Sequence, residues 1–269
     1  MPEYVLRIAS SCPLNCSYCY LQDINKKAQP KVYTNFTELQ KEITELRKNV
    51  EGKIYLNAGE NADSLVFEPE SGLIKYLDEI ISDIPDIQIE LRTKTDNVDF
   101  LGTLKNKEKF SVVFTLSPEN VVERLENKTA SLARRIEAAR KCQEFGINVG
   151  LRFEPIINTK TLLEDYRKTV ELIADMLNTG KIQSIGVSCL RFTKGLMKKL
   201  EKTAPELLLD EFVVCPDGKY RYFRPIRTRI YIQLIALLKE KLPNVKLFLS
   251  TEPAYIWKDC GLSVINFIK

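Results

Sequence analysis

Three cysteines near the start of the chain stand at a spacing that metal chemistry uses: Cys12, Cys16 and Cys19 form a C-x3-C-x2-C loop. Thiolates are soft ligands, and one short loop can supply several of them to a single centre. A structural zinc site asks for a fourth Cys or His nearby, and none stands in the local sequence. Three thiolates suit an iron–sulfur cubane in which one iron lacks a protein ligand and stays open to a substrate or cofactor. The chain contains no His among its 269 residues. That excludes Ser-His-Asp and Cys-His nucleophile pairs, an imidazole base and 2-His-1-carboxylate iron. Catalysis must come from carboxylates, Lys, Tyr, Cys or a cofactor that they hold.

The seven Cys are an odd number, which argues against complete disulfide pairing. No segment approaches the ~20 apolar residues of a membrane helix. The N-terminus lacks the basic start and apolar stretch of a signal peptide. These features lead us to expect a cytoplasmic protein with reduced thiols and no membrane contact.

The elements that must position the loop are short apolar runs alternating with amphipathic segments. Strands are predicted near Tyr4–Ala9, Lys53–Ala58, Ile87–Arg92, Phe110–Leu116, Ile147–Phe153, Ile182–Phe192 and Val245–Leu249. Several are apolar on both faces, as in a parallel sheet covered by helices. Helices are predicted over Phe36–Val50 with Asn35 as N-cap, and near Glu70–Ser82, Leu162–Asn178, Thr193–Lys202 and Arg227–Lys241. A further stripe, Leu132, Ile136, Ala139 and Cys142, ends at Gly146. Repeated strand-helix units give an α/β fold, a complete or partial barrel or else a doubly wound sheet. We expect one domain over 1–269. From Glu211 to Phe223 two alternating arms around Pro216-Asp217-Gly218 read as a β-hairpin. In a barrel, a loop at the C-terminal end of strand one lies where active sites sit.

C-x3-C-x2-C with Tyr18 before the last Cys resembles the motif of radical S-adenosylmethionine (SAM) enzymes. The resemblance implies a partial (β/α) barrel, a [4Fe-4S] cluster on Cys12, Cys16 and Cys19, and SAM on the open iron. It also implies hydrogen abstraction by a 5′-deoxyadenosyl radical and an electron donor such as flavodoxin or ferredoxin. Ala58-Gly59-Glu60 resembles the motif that contacts the SAM amino group, and close backbone approach favours Gly.

Several stretches, in preserved order, are similar to the spore photoproduct lyase family. They include Cys16-Ser-Tyr-Cys-Tyr-Leu-Gln22, Val32-Tyr-Thr-Asn35, Leu91-Arg-Thr-Lys-Thr95, Phe114-Thr-Leu-Ser117, Arg135-Ile-Glu-Ala-Ala139 and Arg191-Phe-Thr-Lys194. By this resemblance Lys94 meets the SAM carboxylate, Thr115 and Ser117 contact SAM, and Tyr18 and Tyr20 relay the radical. The family repairs a methylene-bridged thymine dimer in DNA, and a Cys returns a hydrogen atom. The position matching that Cys is Glu60 here, whose O–H bond is too strong to replace a thiol. Cys189, near the end of a predicted strand, is the candidate replacement. The departure keeps a second reading open, a radical SAM enzyme that modifies a peptide or small molecule and repairs no DNA.

Between Arg191 and Arg229 stand ten basic residues against five acidic ones. Aromatic residues interleave with them around the hairpin. Phosphate contact plus base stacking is the chemistry such a segment suits. The resembled family drives a hairpin of this region into DNA. The candidate nucleic-acid contacts are Arg191, Lys219, Arg221, Tyr222 and Arg224.

Overall fold

The computed structural model describes residues 3–24 and 29–264. Its centre is a curled seven-stranded sheet, parallel at every pairing. The strands are β1 (Glu3–Val5), β2 (Ile54–Asn57), β3 (Ile87–Thr93), β4 (Phe110–Thr115), β5 (Asn148–Ile156), β6 (Ile182–Cys189) and β7 (Leu247–Leu249). Their order across the sheet is their order in the chain. That excludes a doubly wound sheet, which reverses order at a switch point. β1 and β7 are opposite edges, so the sheet is a half-barrel.

The longer helices are α1 (Phe36–Asn49), α2 (Leu73–Ile80), α3 (Leu132–Glu144), α4 (Leu162–Met176), α5 (Lys194–Thr203) and α6 (Arg224–Lys241). Their apolar stripes join the sheet in one core, through Ile74 and Leu77 of α2, Ile136 and Cys142 of α3, and Leu234 and Leu238 of α6. Each large aliphatic side chain buried in this way contributes ~1.5–3 kcal/mol. Gly146 ends α3 as predicted, at φ +81°, a conformation that glycine adopts without steric cost.

Other boundaries differ from the expectation. The Asn35 side chain makes no cap bond to α1. α2 starts later than Glu70, because the carboxylate of Glu68 accepts the Leu73 N–H at 3.1 Å and so caps the helix there. Two 3-10 turns replace a helix between β3 and β4, and Asp78 of α2 anchors that link by accepting the Lys105 N–H at 2.7 Å. β1 stops at Val5. The chain then turns so that Ala9–Ser10 pairs antiparallel with Lys31–Val32. Ser11 and Asn15, both at positive φ, carry the Cys loop onward from there. The long strand predicted over Ile182–Phe192 is two pieces. β6 ends at Cys189, and Arg191–Phe192 joins a small antiparallel sheet with the hairpin arms Phe212–Val214 and Tyr220–Tyr222.

The inner face of the half-barrel is polar, against the expectation of apolar strands on both faces. Thr115 pairs laterally with Arg152, Arg152 with Gly186, and Gly186 with Phe248, so these four share one face. Arg92, Arg152 and Glu154 line a cavity on this side. That surface encloses space for a ligand, whereas the apolar residues between them face the helices.

Candidate active site

The cavity lies at the C-terminal ends of the strands and measures about 350 Å³. The Cys loop forms one wall, and the ends of β3 to β6 form the others. Cys12, Cys16 and Cys19 all line it, and none is in a disulfide. Burial pushes Cys12 up to about 11 and Cys16 up to about 12, so without a metal these groups are thiols. Among the described residues no three Cys or carboxylate groups converge on one metal ion. A cubane does not need that convergence, because each thiolate takes a different iron. Three reduced thiols on one cavity wall, beside the Lys94 ammonium, fit a cluster that would take three Cys ligands and leave one iron without a protein ligand.

Lys94 follows β3 and lines the same cavity, with its Nζ 5.4 Å from the centre of the Tyr18 ring. Burial works against its charge, but the negative charge of Glu126 above all offsets this and holds its pKa above the ordinary lysine value. Asp63 fixes the backbone here. Its carboxylate accepts the Lys94 N–H at 2.6 Å and the Thr93 hydroxyl at 2.9 Å. Tyr18 is buried, and its phenol donates to Glu126. Glu126 also accepts the Ser117 hydroxyl at 3.0 Å and pairs with Arg135. Arg135 is itself fully buried and donates to the Thr115 carbonyl at 2.9 Å.

Gly59 and Glu60 line the cavity, whereas Ala58 is buried beside it with its N–H on the Glu90 carbonyl at 2.9 Å. A Cβ on Gly59 would run into the Cβ and Cγ of Arg92. Glu60 pairs with Arg92 at 2.6 Å and accepts from Asn57 at 2.9 Å. Its carbonyl accepts the phenol of Tyr20, which also lines the cavity. Burial pushes Tyr20 up to about 12, so its O–H stays intact at neutral pH.

Cys189 reaches the cavity from the end of β6. Its backbone N–H donates to the Tyr231 hydroxyl at 2.8 Å, and Tyr231 donates to Glu252 at 2.9 Å. Burial pushes the Cys189 thiol up, so it is S–H rather than thiolate.

The structure does not bring all the candidate residues to this cavity. Thr115 lines it, but Ser117 is fully buried and committed to Glu126, so it supports Tyr18's partner instead of facing SAM. Arg191 and Lys219 line it. Arg221 is buried and forms a two-pronged pair with Asp217 at 2.7 and 2.8 Å, so it braces the hairpin. Tyr222 is no stacking surface. It is buried, its ring packs 4.7 Å from that of Phe212, and its hydroxyl accepts the Asn158 N–H. Arg224 is exposed, pairs with Asp259 at 2.8 Å and lies over the Tyr255 ring, away from the cavity lining.

Sequence reasoning missed Asp63, Arg92, Glu126 and Arg152. A signal existed for Arg92 and Arg152, because Glu90/Arg92 and Arg152/Glu154 stand two apart within strands and so share a face. Glu126 lies in a turn between helices and carried no comparable signal.

A half-barrel with a three-cysteine loop at its C-terminal edge belongs to the radical SAM class. The fold agrees with that of Streptococcus suis SuiB solved with S-adenosylmethionine, at TM-score 0.57 and 15% identity over 96% of this chain and 52% of that one. It agrees more closely with a spore photoproduct lyase mutant solved with AdoMet and dinucleoside spore photoproduct. There the TM-score is 0.84 and the identity 20%, over 91% of this chain and 76% of the other. The family model for spore photoproduct lyase matches residues 1–244, and the chain belongs to that family. Spore photoproduct lyase of Bacillus subtilis (strain 168) is 26% identical over 257 residues, 91% of this chain and 75% of that protein. The Geobacillus sp. (strain Y412MC61) enzyme is 26% identical over 215 residues, 77% of this chain and 62% of that relative's length. No helix of the described residues is long and apolar enough to cross a membrane.

Proposed function

We propose that the chain is a [4Fe-4S]- and SAM-dependent radical enzyme acting on a thymine dimer of the spore photoproduct type. The observation that carries this is the convergence of Cys12, Cys16, Cys19 and Lys94 on one cavity in a chain of this family. Bound together, the cluster and SAM supply a carbon radical that removes a hydrogen atom from the substrate. The protein's own residues do the rest. The three Cys hold the cluster and Lys94 receives the SAM carboxylate. Gly59, with no side chain, lets the backbone approach SAM, while Thr115 and the neighbouring Glu60 border the same space. Tyr18 and Tyr20 keep their O–H bonds beside the reacting centre.

The hydrogen atom returned to the substrate comes from Cys189. Its S–H bond breaks, the C–H bond of the product forms, and a sulfur radical remains next to the Tyr231 hydroxyl. Glu60 cannot take this part, because a carboxyl O–H bond is too strong to give up its hydrogen atom to a carbon radical, and the side chain is held by Arg92 at 2.6 Å. Arg191 and Lys219 contact the nucleic acid, and the electron donor is a small one-electron carrier such as flavodoxin or ferredoxin. This reading puts the protein in the cytoplasm, with its DNA.

The test is turnover of reconstituted protein with dithionite, SAM and a photoproduct deuterated at the abstracted position. Deuterium in 5′-deoxyadenosine together with thymidine formation is the expected result. Rapid SAM cleavage with no label transfer would instead favour a peptide or small-molecule substrate. The specific support for that second reading is Glu60 at the position where the family has its donor Cys.

A further inference from the structure

The inner wall of the half-barrel carries a guanidinium that the protein itself leaves open. Arg152 of β5 is more than nine-tenths buried and lines the cavity, yet its Nη1 is buried without a hydrogen-bond partner. Its ion partner, Glu90, stands 3.6 Å away and is already held by the Arg92 Nε at 2.5 Å. The group is nevertheless firmly placed. The Phe248 ring lies 4.4 Å from the guanidinium carbon. Across the sheet, a Cβ on Gly186 would stand 2.8 Å from the Arg152 Cδ, so the bare glycine makes room for the side chain. Arg191 repeats the pattern on the next strand end. It lines the cavity, its Nη2 donates to Glu154 at 3.2 Å, and its Nη1 is buried without a partner.

A buried charged donor left unpaired is costly, and a fixed fork of N–H groups matches the oxygens of a phosphate or carboxylate. We propose that Arg152, assisted by Arg191, is a receptor for an oxyanion of the bound substrate. The oxyanion is the phosphodiester of a dinucleotide substrate, since the SAM carboxylate belongs to Lys94 in the proposed function. This deepens the functional reading above and rests on it for the identity of the ligands. Lys94, over the Tyr18 ring of the Cys loop, is a further cation of the same cavity. One ligand or two can be oriented by these groups.

The experiment measures binding to the reconstituted, unreduced holoenzyme and its Arg152→Gln, Arg152→Lys and Arg191→Gln variants by equilibrium dialysis. The probes are SAM, photoproduct with its phosphodiester, and photoproduct dinucleoside without it. Arg152→Gln is expected to weaken the photoproduct that carries its phosphodiester by tenfold or more, and to change SAM and the phosphate-free dinucleoside by less than twofold. Loss confined to the phosphodiester form assigns the receptor to the substrate. Loss confined to SAM overturns that assignment. Arg152→Lys, which keeps the charge but not the fork, is expected to recover part of the loss. Equal weakening of the neutral dinucleoside, or no weakening of either anion, overturns the proposal. If the wild-type protein binds neither form of the photoproduct, the functional reading fails. Inorganic phosphate then decides the present point, since it must raise the melting temperature of the wild type and not of Arg152→Gln. An equal rise in both proteins overturns the receptor.

Discussion

The phenol of Tyr18 donates to the carboxylate of Glu126, and that carboxylate is shared with Arg135 in a pair whose side chains are both fully buried. One residue of the Cys loop is thereby tied, through Glu126, to Arg135 of α3, more than a hundred positions away. Replacing Glu126 by Gln leaves the Arg135 and Lys94 charges uncompensated in the interior. Breaking such a pair costs ~3–5 kcal/mol. Burial alone would raise the Glu126 carboxyl, but Lys94 and Arg135 hold it below its ordinary range. The unfolded chain therefore takes up this proton first. The stabilisation is complete above the unfolded value of about 4.3 and is lost as pH falls through the lower folded value. Urea unfolding across acid pH checks both points. Glu126→Gln should be less stable at neutral pH and should lose less of its stability on acidification than the wild type.

Gly59 stands where a Cβ would meet the Arg92 side chain, which in turn holds Glu60 and Glu90. Gly59→Ala must move Arg92 or the loop. Overpacking of this kind costs ~1–3 kcal/mol. The shift also closes space beside the Cys loop, so SAM affinity is expected to fall at least tenfold. Thermal unfolding of the metal-free protein and dialysis of SAM against the reconstituted one measure the two effects separately. Unchanged SAM affinity would remove Gly59 from the binding site.

What could be read before folding was what is local. The Cys loop carries its spacing with it, and Gly146 announces a helix end through its own backbone freedom. The half-barrel could not be told from a doubly wound sheet, because strand order depends on which distant segments pair. Side-chain direction was the other limit. Ser117 and Tyr222 match candidate positions in type, but the fold turns both inward, onto Glu126 and Asn158. Charge counting near the hairpin likewise missed that Asp217 and Arg221, four residues apart around the turn, satisfy each other. The expectation of apolar strands on both faces overlooked the two-residue spacing of Glu90 and Arg92, which marks a strand facing a cavity.

Cys189 gives the donor assignment a sharp test. Apart from the three thiols of the Cys loop, it is the remaining Cys of the cavity wall among the described residues. In Cys189→Ala, 5′-deoxyadenosine formation should continue while thymine product falls more than tenfold. Cys189→Ser should not rescue it, because an alcohol O–H bond is too strong to give up its hydrogen atom to a carbon radical. Cys142→Ala is the control. That thiol is fully buried in the core, so its loss should lower stability and leave the ratio of product to 5′-deoxyadenosine unchanged. Product and cleavage falling together in Cys189→Ala would point to a damaged cavity, not a missing donor.

The hairpin separates two basic residues that look alike in sequence. Lys219 lines the cavity and stands at its nucleic-acid-facing side in the proposed function, whereas Arg221 is buried against Asp217. The Asp217 carboxyl is held well below the usual range by the Arg221 guanidinium, so the pair is ionised at neutral pH. Asp217 is largely exposed, and such pairs are worth ~0–1 kcal/mol. Arg221→Ala should therefore loosen the hairpin slightly without removing a phosphate contact. Lys219→Ala should remove one, lowering the slope of log affinity against log salt by ~0.7 for single strands or ~0.9 for duplex. Fluorescence anisotropy with labelled oligonucleotides at four or five salt concentrations gives these slopes. A reduced slope for Arg221→Ala and an unchanged one for Lys219→Ala would exchange the roles of the two residues, with the hairpin's buried cation then meeting DNA only after it leaves Asp217.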